Sequence, residues 1–306
     1  MAVPVRDRTD EFEALRPRLQ AVAYRLTGSV ADAEDIVQDA WLRLHSATVE
    51  IEDLAAWLTT VVSRLGLDRL RSAVYRRETY VGEWLPEPVV TGLDGNDPLA
   101  VLVASEDARF AAMVVLDRLA PDQRVAFVLH DGFSVPFKQI AEILGINDTA
   151  ARQLATRARR TVSATPEPVA DAEHNEVVGK LLEALMSGSV EAVVRLLHPD
   201  VTMTGDSDGK APTAVRVIRG PDKVARFLLG LLDRYGPGMI RAINPALVNG
   251  QFGMYLTETP ADEAIDSAYW PVLPRVSGYT VRDGKVLAVW DVSNPDKFSG
   301  TPLCSG

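Results

Sequence analysis

Apolar positions recur at helical spacing through the first half of the chain. In DAEDIVQDAWLRL (32–44), Ile36, Val37, Ala40, Trp41 and Leu44 share one face, while Asp32, Asp35 and Asp39 fall on the other. A second helical pattern runs over 52–78. There Trp57, Val61 and Leu65 recur at i, i+4, i+8, then Leu67, Leu70 and Val74 form a stripe, with Arg64, Arg69, Arg71 and Arg76 off it. The pattern breaks in WLPEPVVTGLDGNDPL (84–99), which is rich in proline and glycine and reads as a linker. Helical spacing resumes near residue 101 and lasts to about 163. TPEPVADA (165–172) reads as a second linker.

The last stretch has a different rhythm. A helical pair broken near Gly188 precedes the extended runs VTMTG, TAVRVIRG, MIRAINPALVNGQFGMYLTE and AYWPVLPRVSGYTVRDGKVLAVWDV. An amphipathic helix, 221–235, sits among them, and RDGK (282–285) between apolar runs is a hairpin signal. Helices around a long sheet predict an α+β domain. The boundaries that follow are 1–80, a linker over 81–107, 108–164, a short linker over 165–172, and 173–306.

Within 134–160, SVPFKQIAEILGINDTAARQLATRARR, Ile140, Ala141 and Leu144 form an apolar face. Gly145 follows as a helix stop, Ile146 as a plug, and Asn147 or Asp148 as the next N-cap. Leu154 and Ala158 then repeat on the buried side. This is helix–turn–helix spacing. It places Thr149, Ala150, Arg152 and Gln153 where base edges are reached, and Arg157, Arg159 and Arg160 where phosphates lie.

Charge sharpens this picture. The chain has 306 residues and a formal net charge of −10, yet four arginines and one acid fall within 146–160. An acidic surface argues against nonspecific adhesion to nucleic acid, but not against one local basic face. Cys304 is the single cysteine, so a disulfide framework or multi-thiolate metal site is excluded. The N-terminus carries no apolar core of a secretory signal, and no apolar run approaches a bilayer span. The expected location is the cytoplasm. Neither cofactor nor metal is expected, and no catalytic group.

Two motifs in order carry a resemblance. DAEDIVQDAWLRL and AAWLTTVVSRLGLDRLRSAVYRRE resemble region two of the extracytoplasmic-function sigma factors, and 116–160 resembles their region four. The resemblance implies two all-α sigma domains. In these, Asp32, Asp35 and Asp39 dock core RNA polymerase. His45, with Arg64, Arg69, Arg71, Arg76 and Arg77, contacts and opens the −10 element. The helix from Thr149 reads the −35 element. HSATVEIE (45–52) falls where that family captures a flipped base.

The remaining residues resemble the SnoaL-like branch of the NTF2-like fold, an α+β cone with a curved sheet. They also resemble a sigma subgroup carrying that extension, through WLPEP (84–88), DSDGK (206–210) and NPDKF (294–298). Trp84, Leu85, Pro86, Glu87 and Pro88 make a stiff, apolar segment, expected to dock on the extension near Asp206, Lys210, Asn294, Pro295, Asp296 and Lys297. The extension would regulate promoter selection in cis, making a separate anti-sigma partner unnecessary. A small apolar ligand is expected in its cavity, lined by Tyr235, Phe252, Tyr255, Trp270 and Trp290. Two other readings remain: a helix–turn–helix regulator with a ligand sensor and no polymerase role, and a SnoaL-like enzyme using His198 or Asp206. Against that enzyme reading, His198, at a helix end before a strand, reads as a helix cap, and Asp206, in a polar loop with Asp208 and Lys210, reads as surface.

Overall fold

The computed structural model describes residues 8–48, 50–77, 80–94, 97–105, 108–163, 169–258 and 269–304; the side chains of 73–77 and of 304 lie outside that description. Parts of the expected loop 45–52 and linker 165–172, and the side chains of Val74, Arg76 and Arg77, therefore lie outside the described residues. The chain forms two compact units. One comprises 1–79 and 101–165, the other 80–100 and 166–306.

In the first unit, α1 (Arg8–Thr27), α2 (Val30–Ser46) and α3 (Leu54–Arg77) pack around Phe12, Leu19, Ile36, Val37, Leu58 and Val62. Ser29 caps α2 by accepting the Asp32 amide. The buried stripe of α3 is Leu58, Val62, Leu67 and Leu70, while Trp57, Val61 and Leu65 are only half-buried. The roll is set by Gly66, where an added Cβ would sit 3.0 Å from Leu26, so α1 and α3 touch closely there. Helices α4 (Phe110–Leu116), α5 (Pro121–Phe127), α6 (Phe137–Leu144) and α7 (Asp148–Val162) complete the unit.

These two helical groups were expected as separate domains, but here they pack together. Arg124, on α5 and 1 % exposed, gives Nη1 to Asp117 at 2.9 Å and Nε to the Arg25 carbonyl of α1 at 2.9 Å. Gln139 of α6 donates to the Ala56 carbonyl of α3 at 2.8 Å. Such long-range polar links leave no trace in local periodicity.

The second unit is α+β. Its seven strands among the described residues are β1 (Val90–Thr91), β2 (Leu197–Asp206), β3 (Ile218–Arg219), β4 (Ile243–Val248), β5 (Gln251–Leu256), β6 (Arg275–Arg282) and β7 (Lys285–Val292). They form one mixed sheet in the order β1-β4-β5-β6-β7-β2-β3. Asp283 and Gly284, both at positive φ, close the β6–β7 hairpin. Helices α8 (Asp171–Met186), α9 (Val190–Leu196), α10 (Pro221–Tyr235) and α11 (Pro237–Ala242) share a core with the sheet around Val178, Leu181, Val193, Val201, Val224 and Val286. Residues 239–242 were expected as strand. Pro237 at a helix start supplies φ for one turn instead, and the strand begins at Ile243.

Residues 84–91 are not a free linker. Val90 and Thr91 pair antiparallel with Val248 and Leu247, adding an edge strand to the sheet. Val89 donates to Asn249 Oδ1 at 3.0 Å, and the Asn249 amide donates back to the Val89 carbonyl at 2.8 Å.

Candidate functional site

The helix–turn–helix is built as its local chemistry dictates. Gly145 ends α6 at φ +69, the Ile146 amide closes on the Ala141 carbonyl at 3.0 Å, and Asn147 Oδ1 caps α7 through the Ala150 amide at 2.8 Å. Ala151, Ala155 and Ala158 are the buried face of α7; Leu154 is half-buried. Thr149, Arg152, Gln153, Arg157 and Arg160 are exposed on the other side, with Ala150 partly so. Arg152 stacks over the Phe137 ring at 4.6 Å. Arg159 is held by Asp131 through two hydrogen bonds, at 2.7 and 3.1 Å, which push its pKa further up. That leaves Arg157 and Arg160 as the more available cations of this turn.

The α2–α3 surface is more entangled than its sequence suggests. Arg69 bridges Asp32 at 3.0 Å and Asp35 at 3.4 Å, so a residue expected on DNA touches two expected on polymerase. Asp39 and His45 are exposed, and His45 lies edge-on to Trp41 at 4.0 Å. Arg64 donates to the Glu142 carbonyl at 3.1 Å, and Arg71 pairs with Asp122 at 3.1 Å. Both acceptors belong to the α4–α7 half of the same unit.

In the second unit, WLPEP and the two later motifs meet. Asp206 ends β2 and is 0 % exposed. Its carboxylate accepts from the Leu85 amide at 2.6 Å, from Lys297 Nζ at 2.6 Å and from the Tyr80 hydroxyl. Lys297, 3 % exposed, also donates to the Leu85 carbonyl and lies 3.3 Å from the centroid of the Trp84 ring. Asn294 donates to Tyr80 Oη at 2.9 Å and caps the turn beginning at Pro295 by accepting the Asp296 amide. Burial, then the Asp206 hydrogen bond, push the Tyr80 phenol far up, so it stays a donor. Around this core, Lys210 pairs with Asp296 and Asp208, which raises its pKa in that order of importance. Asp208 accepts the Val81 amide at 3.1 Å, and that bond, then Lys210, hold its carboxyl below the usual range. Glu87 accepts from Ser299 at 2.8 Å, and Leu85 to Pro88 are buried.

Three expectations need correction. Asp206 is not a surface residue, because its strand enters the core and its charge is compensated there by Lys297. His198 does not cap a helix; it lies in β2, and its Nδ1 accepts the Asp200 amide at 3.1 Å. The cavity of the α+β unit is lined mostly by aliphatic side chains and methionines, with Arg275, Ser277, Tyr279 and Asp291, and not by Tyr235, Phe252, Tyr255, Trp270 or Trp290. Strand alternation explains two of these, since Met254 and Leu256 line the cavity beside Tyr255, and Val289 and Asp291 flank Trp290. Tyr80 was missed by sequence reasoning. A tyrosine four residues ahead of a tryptophan carries no signal until Asp206 is placed between them. Among the described residues, no group of three or more His, Cys, Asp or Glu is arranged to hold a metal, and no helix is long and apolar enough to cross a membrane.

Residues 12–75 match the family Sigma-70 region 2, and residues 109–162 match Sigma-70, region 4. The chain is 64% identical over 296 residues to the ECF RNA polymerase sigma factor SigJ of Mycobacterium tuberculosis, covering 96% of this chain and 94% of that one. It is 35% identical over 227 residues to the probable ECF RNA polymerase sigma factor SigI of the same organism, covering 71% and 74%. A crystal structure of the M. tuberculosis extracytoplasmic function sigma factor SigJ superposes with a TM-score of 0.84 at 62% identity, covering 96% of this chain and 99% of that one.

Proposed function

The chain belongs to the extracytoplasmic-function RNA polymerase sigma factors, whose work is to direct core polymerase to promoters, and from that premise we propose how its parts divide the task. Asp32, Asp35 and Asp39 dock the core enzyme. Arg64, Arg69, Arg71, Arg76 and Arg77, with His45, serve the −10 element. The helix Asp148–Val162 reads the −35 element through Thr149, Ala150, Arg152 and Gln153, and holds phosphates with Arg157 and Arg160. The α+β unit regulates this in cis and binds a small apolar molecule. No separate anti-sigma protein is required. The chain acts in the cytoplasm, where the polymerase is.

One observation bears on how the two helical halves engage a promoter. Arg64 and Arg71 are engaged by Glu142 and Asp122, and Gln139 is bonded to Ala56, so the two DNA-facing halves hold each other. The −35 and −10 elements differ in position by about 25 base pairs, or ~85 Å at 3.4 Å per pair. Both cannot be read while α3 and α6 are in contact. The described arrangement is therefore a resting form, and promoter engagement requires α1–α3 to part from α4–α7.

Catalysis has little support. His198 and Asp206 lie eight residues apart on one strand, about 26 Å at ~3.3 Å per fully extended residue, too far for a shared acid–base step. Asp206 is moreover engaged by three donors.

Multi-round transcription with purified core polymerase on a genomic fragment library tests the assignment. The full chain should give specific transcripts that core enzyme alone does not, and their absence would reject it. On a −35 duplex, Arg157→Ala and Arg160→Ala should each lower the slope of log K against log salt by about 1. Arg159→Ala should change it less, because Asp131 already neutralises that guanidinium. Equal slopes for all three variants would count against this surface.

A further inference from the structure

The α+β unit encloses a cavity of about 280 Å³ between the helices and the sheet. Its wall is apolar and adaptable: Met203, Met239 and Met254 contribute flexible thioethers beside leucines and isoleucines. At its mouth, Met186 and Ile240 are both about half exposed, and they also line an adjoining surface pocket. Large apolar side chains left in water at the entrance of an apolar chamber mark a route inward.

The floor is polar and built. Arg275, 2 % exposed, gives Nη1 to Asp291 at 3.4 Å, and Nη2 to the Pro212 carbonyl and the Tyr235 hydroxyl, each at 3.2 Å. Asp291 also accepts from Thr213 at 2.7 Å. The Nε–H of Arg275 is buried with no acceptor among the described residues. Buried donors in native structures find partners, and because Arg275 lines this cavity, an acceptor on a bound molecule is one that would complete it. Ser277 and Tyr279 line the same region with hydroxyls. Burial, then Asp291, keep the Tyr279 phenol protonated.

We propose that this cavity binds an uncharged, mostly apolar molecule carrying one hydrogen-bond acceptor, such as a ketone or ester oxygen, which takes the free donor of Arg275. Charge decides the class. The floor is already neutral, because Arg275 and Asp291 offset each other. A ligand carboxylate would bring an unpaired negative charge against Asp291, and an ammonium would meet Arg275. Size follows from volume: at ~30 Å³ per water, 280 Å³ admits about nine waters or an organic molecule of roughly 10–15 non-hydrogen atoms. This deepens the ligand-binding part of the function proposed above and rests on it. It is read on the protein without polymerase, so failed binding leaves the sigma assignment standing and failed transcription leaves the cavity standing.

The experiment is isothermal titration calorimetry of the full chain with 2-nonanone, octanoate and octylammonium at neutral pH. The ketone should bind at least ~10-fold more tightly than either ion. Met239→Trp, which fills the chamber from its half-buried edge, should weaken ketone binding ~10-fold or more. Arg275→Met combined with Asp291→Leu removes donor and counter-charge together. It should weaken the ketone about 5- to 10-fold, the loss of one buried hydrogen bond. Circular dichroism reports whether each variant folds, and if the double variant does not, Met239→Trp and the probe ranking decide. Equal affinity for all three probes, ketone binding untouched by Met239→Trp, or no binding at all would overturn the proposal, the last leaving water as the partner of Nε.

Discussion

Lys297→Met is expected to destabilise the α+β unit by about 3–5 kcal/mol, roughly 10 °C in its melting temperature, and to expose residues 80–91 to protease. The substitution keeps most of the side chain's length and removes its charge. Asp206 then remains fully buried as an anion whose remaining donors are the Leu85 amide and the Tyr80 hydroxyl. Breaking one side of a buried pair is far more damaging than losing a surface pair, because the partner charge can neither be hydrated nor screened. The Leu85 carbonyl loses its ammonium donor at the same time, and the Trp84 ring loses its cation. Trp84→Leu should therefore be milder, about 1–2 kcal/mol, since it removes the ring and leaves the ion pair. Lys210→Ala should be milder still, because that pair is exposed to solvent. Thermal melting with limited proteolysis orders the three. Should Lys297→Met melt like the parent chain with 80–91 still protected, the pair would not be what holds the segment. Because Val90 and Thr91 continue from this anchor into the sheet, release should also free the edge strand β1. The same variant should alter promoter output, since the chain between the two helical halves would regain its freedom.

What could be read in advance was whatever short-range chemistry decides. Gly145 and Asn147 specify a helix stop and a helix start through their own φ and side-chain oxygen, so the helix–turn–helix was legible. Asp283–Gly284 specifies a tight hairpin in the same way. Meeting of WLPEP with the 206–210 and 294–298 motifs was expected from the stiffness of two prolines and from family likeness, and those residues do come together. Other features depend on which distant atom comes near. The roll of α3 is decided by Gly66 against Leu26, so periodicity alone selected Trp57, Val61 and Leu65 in place of the buried Leu58 and Val62. Arg64, Arg69 and Arg71 were read as lying off the apolar stripe and contacting the −10 element, yet each has an acceptor supplied by a different helix. Asp206 looked like surface because its neighbours Ser207, Asp208 and Lys210 are polar; burial depends on Lys297, 91 residues away. Two of the cavity aromatics, Tyr255 and Trp290, failed for a related reason. Their spacing does not say which face of a strand turns inward until the register is known.

Arg124→Met is expected to loosen the first unit along the line where the proposed promoter engagement opens it. Arg124 is the deepest polar link between the two halves: its Nε holds the Arg25 carbonyl of α1, while Asp117 offsets its charge. Methionine fills similar space without the hydrogen bonds, leaving Asp117 without this guanidinium. The loss should be about 3 kcal/mol or more. If the resting form is what withholds Arg64 and Arg71, that energy is subtracted from the work of opening. The fraction of chains competent for core polymerase then rises, and apparent affinity should increase by up to about 100-fold. Arg71→Ala cuts a surface pair in the same interface and removes a residue proposed to serve DNA, so its effect on opening should stay below about 1 kcal/mol. Hydrogen exchange on α3 and α6 reports the parting of the halves, and titration with labelled core polymerase reports the gain. Faster exchange together with tighter polymerase binding is the expected pair of results. Faster exchange with unchanged binding would show that the contact is structural and does not gate recruitment. Loss of helical content would place Arg124 in the fold of α4–α7 itself. The charge-reversed pair Arg71→Asp with Asp122→Arg, set against Arg71→Asp alone, then decides: the single reversal should modestly speed exchange on α3 and α6 and the double should restore it.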